Sequence, residues 1–405
     1  MKRVVVTGMG IWSCIGQDLQ TVTESLRQGR SGIIFDQERL KHGLHSGLVG
    51  NVPMPDLKPY LSRQARATMS KEAKYAYMAA CQAFEQAGIT EEYIRLNEVG
   101  IIFGSDGNAE GVDGLKIFRE EKDTWVLDPG SFFKEATSSA SMNLATHLRL
   151  KGLNININAG CASAAHAIGI ATIYIKSGCQ DVMLVGGATG DDVYMAASFD
   201  AINALSLRNN EPSTASRPFD KERDGAITSA GAAALILEDY EHAIARGATI
   251  FAEVAGYGFS SNNNGNISTP DSEMTIKSIK NALLNANLNI EDIDYINSCA
   301  SSAIIDDVIE AEALVKICNS HNIPISSTES MTGHEGWMGG ASAAIYSILM
   351  MQEGFIAPNI NLNNKMEEAK ELNIITQTIY QPVNTVLLDS NGLGGTSSAL
   401  VFRKI

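Results

Sequence analysis

The sequence predicts an α/β protein built from two similar halves. One observation behind this is the alternation of short β-rich runs with helical segments along the whole chain. Another is a pattern in the second half that repeats a pattern in the first. The composition agrees, because 405 residues with 44% hydrophobic and 19% charged side chains can form two core-sized units.

The alternation is read from residue type and periodicity. Segments 71–88 and 304–317 have helical character. The predicted strands, rich in valine, isoleucine and leucine, are 4–7, 100–103, 182–185, 233–238, 251–254, 386–389 and 399–402.

The internal repeat involves two helices that carry small or apolar residues on nearly every face. One reads GCASAAHAIGIATIYIKSG and the other GGASAAIYSILMMQEG. Each is followed by a VMLV or VLLD strand, a glycine-rich stretch and a final strand, AALILE or SALVFR. Helices without a charged face are buried, so we expect both at the centre of a five-layer arrangement. The predicted halves are 1–245, which carries Cys161, and 246–405, which carries Cys299 and His334.

Charge and targeting signals narrow the functional class. The net charge of −15 argues against general nucleic-acid binding, and an acidic partner would need a local basic patch. The opening MKRVVVTGMG has too short an apolar run for a signal peptide, and no later segment has about 18 uninterrupted apolar residues. We therefore expect a cytoplasmic protein that does not associate with membranes.

The cysteines show no C-x-x-C pair and no Cys/His spacing suited to zinc, so we expect neither disulfides nor a metal site. Cys161 follows Asn-Ala-Gly and begins the first buried helix. Free N–H groups and the helix dipole stabilise a thiolate there, and small neighbours leave room for a substrate and an oxyanion hole. The alternative is a small buried hydrophobic residue, the commonest role of a free cysteine.

Four stretches favour the nucleophile: KRVVVTGMGIWSCIG, GCASAAHAIG, SRPFDKERDG, and the pair SMTGHEGWMGGASA with NGLGGTSSALVFRK. Together they resemble the elongating β-ketoacyl-acyl-carrier-protein synthases of the thiolase-like superfamily over the full length. The resemblance implies a duplicated α-β-α-β-α five-layer fold and a dimer with itself or with another ketosynthase subunit. It also implies acyl transfer to Cys161 from the phosphopantetheine arm of an acyl carrier protein, with no further cofactor.

The resemblance also implies a cysteine, two histidines and a lysine in the active site. His334 lies at one histidine position, but Cys299 occupies the other and Glu329 occupies the lysine position. Acylation of Cys161 should survive, because it needs only a thiolate and an oxyanion hole. Decarboxylation and condensation should fall by about 10² to 10³, since Cys299 donates weakly to a developing anion. We expect the Cys299 sulfur to point into the cavity of Cys161.

Other positions follow from the same resemblance. Ser301 and Ala303 correspond to two threonines that hold the pantetheine arm, and Glu310 to an acidic residue that pairs with the lysine. Glu329 and Glu310 are therefore expected to face each other. Leu393 replaces a gating phenylalanine beside Gly394 and Gly395, where a close backbone approach to the site is expected rather than a phosphate loop.

Two sets of residues have a plainer alternative. Arg63, Arg66, Lys71 and Lys74 fall where the family docks its carrier protein, and a solvated helix face is the alternative. His166 is expected to be a hydrogen-bonded core residue rather than a catalyst.

Several functions remain open at this stage. The first is a partner subunit that resembles a chain-length factor and has impaired condensation. The second is an acyl-transferring ketosynthase that uses Cys161, and the third is a fully condensing enzyme. A non-catalytic scaffold that binds acyl carrier protein is the alternative from a different class.

Overall fold

The computed structural model describes residues 2–106, 112–262, 265–267 and 269–405. The strands are β1 Val4–Trp12, β2 Ile33–Phe35, β3 Leu48–Gly50, β4 Gly100–Ser105, β5 Asn154–Ile157, β6 Val182–Thr189, β7 Gly231–Asp239, β8 Ala252–Ser261, β9 Tyr295–Asn297, β10 Pro324–Ser326, β11 Phe355–Ile356, β12 Asn373–Ile374, β13 Ile379–Tyr380, β14 Thr385–Gly392 and β15 Thr396–Arg403.

The helices alternate with these strands. They are α1 Leu19–Gln28, α2 Gln37–Lys41, α3 Arg63–Ala67, α4 Lys71–Ala87, α5 Glu91–Leu96, α6 Val112–Glu121, α7 Ser131–Glu135, α8 Ser139–His147, α9 Ser163–Lys176, α10 Val193–Ala201, α11 Pro212–Ala215, α12 Tyr240–Ala245, α13 Ser272–Ala286, α14 Asp306–Cys318, α15 Glu329–Thr332 and α16 Gly339–Glu353. Each predicted strand and helix is present in the structure.

One 11-stranded sheet contains both halves of the chain. Its order is β12-β10-β9-β14-β15-β8-β1-β7-β6-β4-β5. From the centre outward, β1-β7-β6 and β8-β15-β14 are antiparallel neighbours, and the next strands, β4 and β9, run parallel to β6 and β14. The halves therefore share one topology, and the antiparallel pair β1 and β8 joins them.

Matching glycines show the same duplication at the level of packing. A Cβ added to Gly8 in β1 would lie 2.1 Å from the Ala83 carbonyl oxygen of α4. A Cβ added to Gly256 in β8 would lie 2.2 Å from the Ala282 carbonyl oxygen of α13. In both halves a helix approaches the first strand so closely that only glycine fits, which confirms the internal repeat.

Helices α9 and α16 pack against each other at the centre of the molecule. A Cβ on Gly340 would lie 2.6 Å from the backbone nitrogen of Ala165, so the two helix backbones are in near contact. Ile168, Ile345 and Ile348 are fully buried in the same core cluster. Burial on all sides explains why neither helix has a charged face.

The predicted boundary between 1–245 and 246–405 falls between α12 and β8. Among the described residues, no helix has the length and apolar character needed to cross a bilayer.

Candidate active site

Cys161 lies between β5 and α9, just before the first turn of the buried helix. The residue is only 8% exposed. Gly160 before it has a φ of 57°, a left-handed conformation that glycine adopts without strain. The thiol therefore lies at the N-terminal end of α9, where the helix dipole stabilises negative charge.

His334 follows α15 and is fixed by two backbone hydrogen bonds. Its N–H donates to the Ile227 carbonyl over 2.7 Å, and its carbonyl accepts from the Ser229 N–H over 3.0 Å. The ring nitrogen Nε2 lies 2.8 Å from the Cys161 Sγ. At this distance a proton can pass directly between the thiol and the imidazole.

Glu329 contacts the other side of the His334 ring. Its Oε2 lies 2.9 Å from Nδ1, and its side chain is largely buried. The expectation that Glu329 faces Glu310 is therefore wrong. The single turn of α15 brings residue 329 next to His334, whereas Glu310 lies on α14 and bonds to another group.

The charge on His334 follows from these two neighbours. Burial alone would lower the pKa of His334, but negative charge on Cys161 and Glu329 and their hydrogen bonds raise it well above its ordinary value. Burial raises the pKa of Glu329, and His334 opposes that rise. The proton belongs on His334, because the imidazole faces two acidic partners and the carboxyl faces one base.

Cys299 follows β9 and lies among polar side chains on the other side of Cys161. Its sulfur is 3.4 Å from Glu310 Oε2 and 3.7 Å from Asp389 Oδ2, and its N–H donates to Glu310 Oε1 over 2.9 Å. The Asn391 side-chain nitrogen lies 3.4 Å from the same sulfur. We call Cys299, Glu310, Asp389 and Asn391 the Cys299 cluster.

Burial raises the pKa of each acidic group in the Cys299 cluster. Burial raises the pKa of Cys299 well above its ordinary value, and the charges of Asp389 and Glu310 add to the rise. Burial and Asp389 also raise the pKa of Glu310. Burial raises the pKa of Asp389 to about 6, although hydrogen bonds from Cys299 and Glu310 oppose it. The thiol is thus a protonated, weak donor at neutral pH.

The cluster also contains possible metal ligands. One donor atom each from Cys299, Glu310 and Asp389 lies within 4.8 Å of the others. Thiolate and carboxylate are ligands that Zn²⁺ accepts. Within the described part of the chain these residues could hold a metal ion, although the sequence predicts none.

A cavity of about 440 Å³ opens onto Cys161, His334 and Cys299. It confirms the expectation that both sulfurs face one cavity. Ser301, Ala303 and Leu393 also line it, together with apolar residues at its mouth: Phe199, Ile202, Ile304 and Ile305. Such a space suits an acyl chain with a polar reacting end.

The turn after β14 packs against the backbone around Cys161. A Cβ added to Gly392 would lie 3.2 Å from the Cys161 nitrogen and 2.5 Å from the Ala159 carbonyl oxygen. Gly394 and Gly395 have φ values of 85° and 78°, which ordinary side chains rarely adopt. The close backbone approach is confirmed at Gly392, whereas a Cβ on Gly395 would meet Asn262 and one on Gly394 would meet no atom within 4 Å.

His166 is a core residue, as predicted. Its Nδ1 lies 2.7 Å from the Tyr257 hydroxyl and its Nε2 lies 2.8 Å from the Thr396 hydroxyl. Burial lowers the pKa of His166 to about 4, so the ring is neutral. Both nitrogens are engaged away from Cys161.

The predicted docking residues lie together but outside the cavity wall. Arg63 and Arg66 are on α3, and Lys71 and Lys74 are on the first turn of α4. Arg63 is exposed and the other three are partly exposed. Their role in docking stays a prediction.

Three site residues were missed from the sequence. Asp389 and Asn391 lie three residues and one residue before Gly392, and Glu335 directly follows His334. Glu335 is buried and accepts hydrogen bonds from the hydroxyls of Ser13, Ser342 and Tyr346 at 2.9, 2.5 and 2.9 Å. Burial raises the pKa of Glu335 to about 7 against these bonds. Adjacency to the motifs was the only available signal.

Comparison with known proteins agrees with this architecture. Residues 1–243 match the model of the β-ketoacyl synthase N-terminal domain, and residues 251–363 match that of the C-terminal domain. The chain is 39% identical to 3-oxoacyl-[acyl-carrier-protein] synthase 1 of Escherichia coli K12, with both proteins covered completely.

Solved structures give the same result. A β-ketoacyl synthase from Burkholderia phymatum superposes with a TM-score of 0.96 at 31% identity, with both chains covered completely. The ishigamide ketosynthase/chain length factor gives 0.93 at 28% identity, covering all of this chain and 99% of the other. The fold is thus the thiolase-like fold of ketosynthases, as predicted. The chain belongs to the β-ketoacyl synthase family, whose members act in fatty-acid and polyketide synthesis.

Proposed function

We propose that this chain accepts an acyl group from an acyl carrier protein onto Cys161 and passes it on, with little capacity for decarboxylative condensation. The observation that carries the proposal is the 2.8 Å contact between Cys161 Sγ and His334 Nε2. It supports a reactive thiolate and imidazolium pair at the end of a cavity large enough for an acyl chain.

Loading requires one bond to form and one to break. The Cys161 thiolate attacks the carbonyl carbon of the carrier thioester, and His334 gives its proton to the departing pantetheine sulfur. Backbone N–H groups at the start of α9 and in the adjoining Gly392 turn are the proposed hydrogen-bond donors to the oxyanion. The products are acyl-Cys161, a neutral His334 and the free carrier thiol.

Condensation needs a further group that this site lacks. An extender that loses carbon dioxide leaves an enolate, which a neutral imidazole or a cation would stabilise. The Cys299 cluster instead offers a thiol held by two carboxyl groups. Negative charge developing there would be repelled by Asp389, which is ionised at neutral pH because its pKa is about 6.

The proposed binding site for the carrier protein consists of a basic surface and the mouth of the cavity. Arg63, Arg66, Lys71 and Lys74 form the basic surface that we propose for the acidic carrier protein. The arm then passes Ser301, whose hydroxyl can bond to it, and Ala303, which cannot. Leu393 lies at the same wall and is the proposed gate.

A partner subunit that shapes the acyl chain for another ketosynthase is the second candidate. The replacements at positions 299 and 329 favour it. Edge strand β5 and a nearby group of exposed apolar side chains offer a surface for a homodimer or a heterodimer. These side chains include Trp125, Phe132 and Phe133. The complete Cys161 and His334 pair nevertheless favours loading by this chain itself.

Intact mass spectrometry tests the proposal. The purified chain is mixed with hexanoyl-acyl carrier protein, and a hexanoyl adduct is expected on the native chain but not on Cys161→Ala. Cys179→Ala, which alters an exposed thiol, is the matched control. If no adduct forms at any pH at which the chain stays folded, the loading function is contradicted. The hypothesis that then remains is a non-catalytic scaffold that binds acyl carrier protein.

A second assay separates transfer from condensation. Malonyl-acyl carrier protein is added to the loaded chain, and carbon dioxide release is measured with and without candidate ketosynthase partners. Slow release by the chain alone supports acyl transfer. Rapid release that depends on Cys161 would instead identify a competent condensing enzyme.

A further inference from the structure

Cys161, His334 and Glu329 form a continuous hydrogen-bonded row. The sulfur lies 2.8 Å from Nε2, and Nδ1 lies 2.9 Å from the Glu329 carboxylate. The side chains of His334 and Glu329 are 20% and 12% exposed, so both are shielded while the cavity still reaches the sulfur. A nucleophile, a base and an orienting acid in this order constitute the arrangement of acyl hydrolases.

Glu329 decides which nitrogen of His334 carries a proton. A carboxylate can only accept, so the neutral ring keeps its proton on Nδ1 and directs the Nε2 lone pair towards Cys161. A lysine at position 329 would donate to Nδ1 and leave Nε2 as the protonated nitrogen. Only the first tautomer lets His334 remove a proton from a molecule beside Cys161.

We propose that the chain hydrolyses acyl thioesters through acyl-Cys161, with Glu329 as the positioning residue for His334. The substrate class is carrier-bound acyl thioesters, and the inference rests on the proposed loading function. It adds a second activity, because water replaces a carbon nucleophile as the acceptor of the acyl group.

The hydrolytic step balances without any further reagent. After loading, His334 is neutral, and its Nε2 takes a proton from water as the oxygen attacks the acyl carbon of acyl-Cys161. The tetrahedral intermediate collapses, the carbon–sulfur bond breaks, and Cys161 leaves as a thiolate. The products are a free carboxylic acid and the original pair of Cys161 thiolate and His334 imidazolium.

The experiment uses the full chain and the hexanoyl thioester of N-acetylcysteamine, a small probe that needs no docking surface. Acyl-enzyme is followed by intact mass and hexanoic acid by chromatography. Glu329→Lys should slow release of acid from acyl-Cys161 by about 10²-fold or more, because the base is then in the wrong tautomer. Glu329→Asp should recover most of the native rate.

A surface variant and a pH profile exclude a merely structural effect. Glu371→Lys makes the same charge change at an exposed position and should release acid at the native rate. Release by the native chain should rise with pH as His334 of the acyl-enzyme becomes neutral, and Glu329→Lys should lose that rise. Equal melting temperatures would show that both variants fold.

The two proposals fail in different ways. Acyl-Cys161 that forms but persists equally in the native chain and in Glu329→Lys would overturn the hydrolytic inference and leave loading intact. If no acyl-Cys161 forms from either the probe or hexanoyl-acyl carrier protein, the loading function fails and the inference fails with it.

Discussion

The two sides of Cys161 differ in the kind of charge that they can stabilise. On one side His334 lies between the sulfur and the Glu329 carboxylate, so a positive charge on the ring has two partners. On the other side the Cys299 cluster brings a thiol and two carboxyl groups together, and burial raises the pKa of all three, which leaves Cys299 and Glu310 protonated and Asp389, with a pKa of about 6, ionised at neutral pH. The first side fits the proposed acyl loading of Cys161, and the second fits the proposed lack of condensation.

The largest effect is expected when the Cys161 sulfur, which lies between the two sides, is removed. Cys161→Ala should lower acyl loading by about 10⁴-fold or more, since the nucleophile is removed and the raised pKa keeps the Cys299 thiol in the same cavity protonated. Cys299→Ala should lower it by less than about tenfold, because the cluster does not touch the transferred proton. Stopped incubations with hexanoyl-acyl carrier protein and intact mass give both rates. Comparable losses in the two variants would mean that the sides do not differ as described.

Restoring the two replaced groups should give the next largest effect. The double variant Cys299→His with Glu329→Lys should increase carbon dioxide release from malonyl-acyl carrier protein by about 10²-fold, because an imidazole can donate to the enolate. The single variant Cys299→His keeps Glu329 as well as Asp389 and Glu310. Its rate of carbon dioxide release shows how much of the gain depends on position 299 alone. No gain in the double variant would show that the defect does not lie on the Cys299 side.

Alkylation rates compare the reactivity of the Cys161 thiol with that of the Cys299 thiol. At pH 7.5 iodoacetamide should modify Cys161 at least about tenfold faster than Cys299, because His334 stabilises one thiolate while burial and two carboxyl groups suppress the other. Peptide mass spectrometry after timed quenching measures both rates. Raising the pH should narrow the difference, and preferential labelling of Cys299 would contradict the assigned charges.

The smallest expected effect is on stability. Folding raises the pKa of Asp389 from 3.8 to about 6. Between about pH 4 and pH 6 the native chain therefore keeps a proton on Asp389 that the unfolded chain has already lost. Its contribution to the free energy of unfolding is therefore present below about pH 4 and falls by about 1 to 3 kcal/mol by pH 6.

Asp389→Asn should remove that part of the pH dependence, measured by urea unfolding between pH 4 and pH 8. Glu371→Gln, at an exposed site, should leave the curve as it is. If the free energy of unfolding depends more steeply on pH in Asp389→Asn than in the native chain, the assigned direction of the Asp389 pKa shift is wrong.

Much of the fold could be predicted from the sequence because its signals are local or repeated. The helices around residues 163–176 and 339–353 lack charged faces, and only a buried position explains that composition. Likewise Cys161 and His334 each lie in a motif of consecutive residues, so both could be identified from the sequence. The short edge strand β5 and the strands β9 and β10 were missed, because three or four residues carry too little periodicity.

By itself the sequence determined the duplicated α/β architecture and the candidate nucleophile, and its family resemblance predicted Cys299 at a histidine position and Glu329 at a lysine position. Tertiary structure alone decided the partners of Cys299 and Glu329. Glu329 bonds to His334 rather than facing Glu310, and Asp389 joins Cys299 from a strand 90 residues away. Pairwise contacts between distant segments depend on how helices and strands pack. No local pattern could have shown that the Glu329 carboxylate contacts the imidazole beside Cys161.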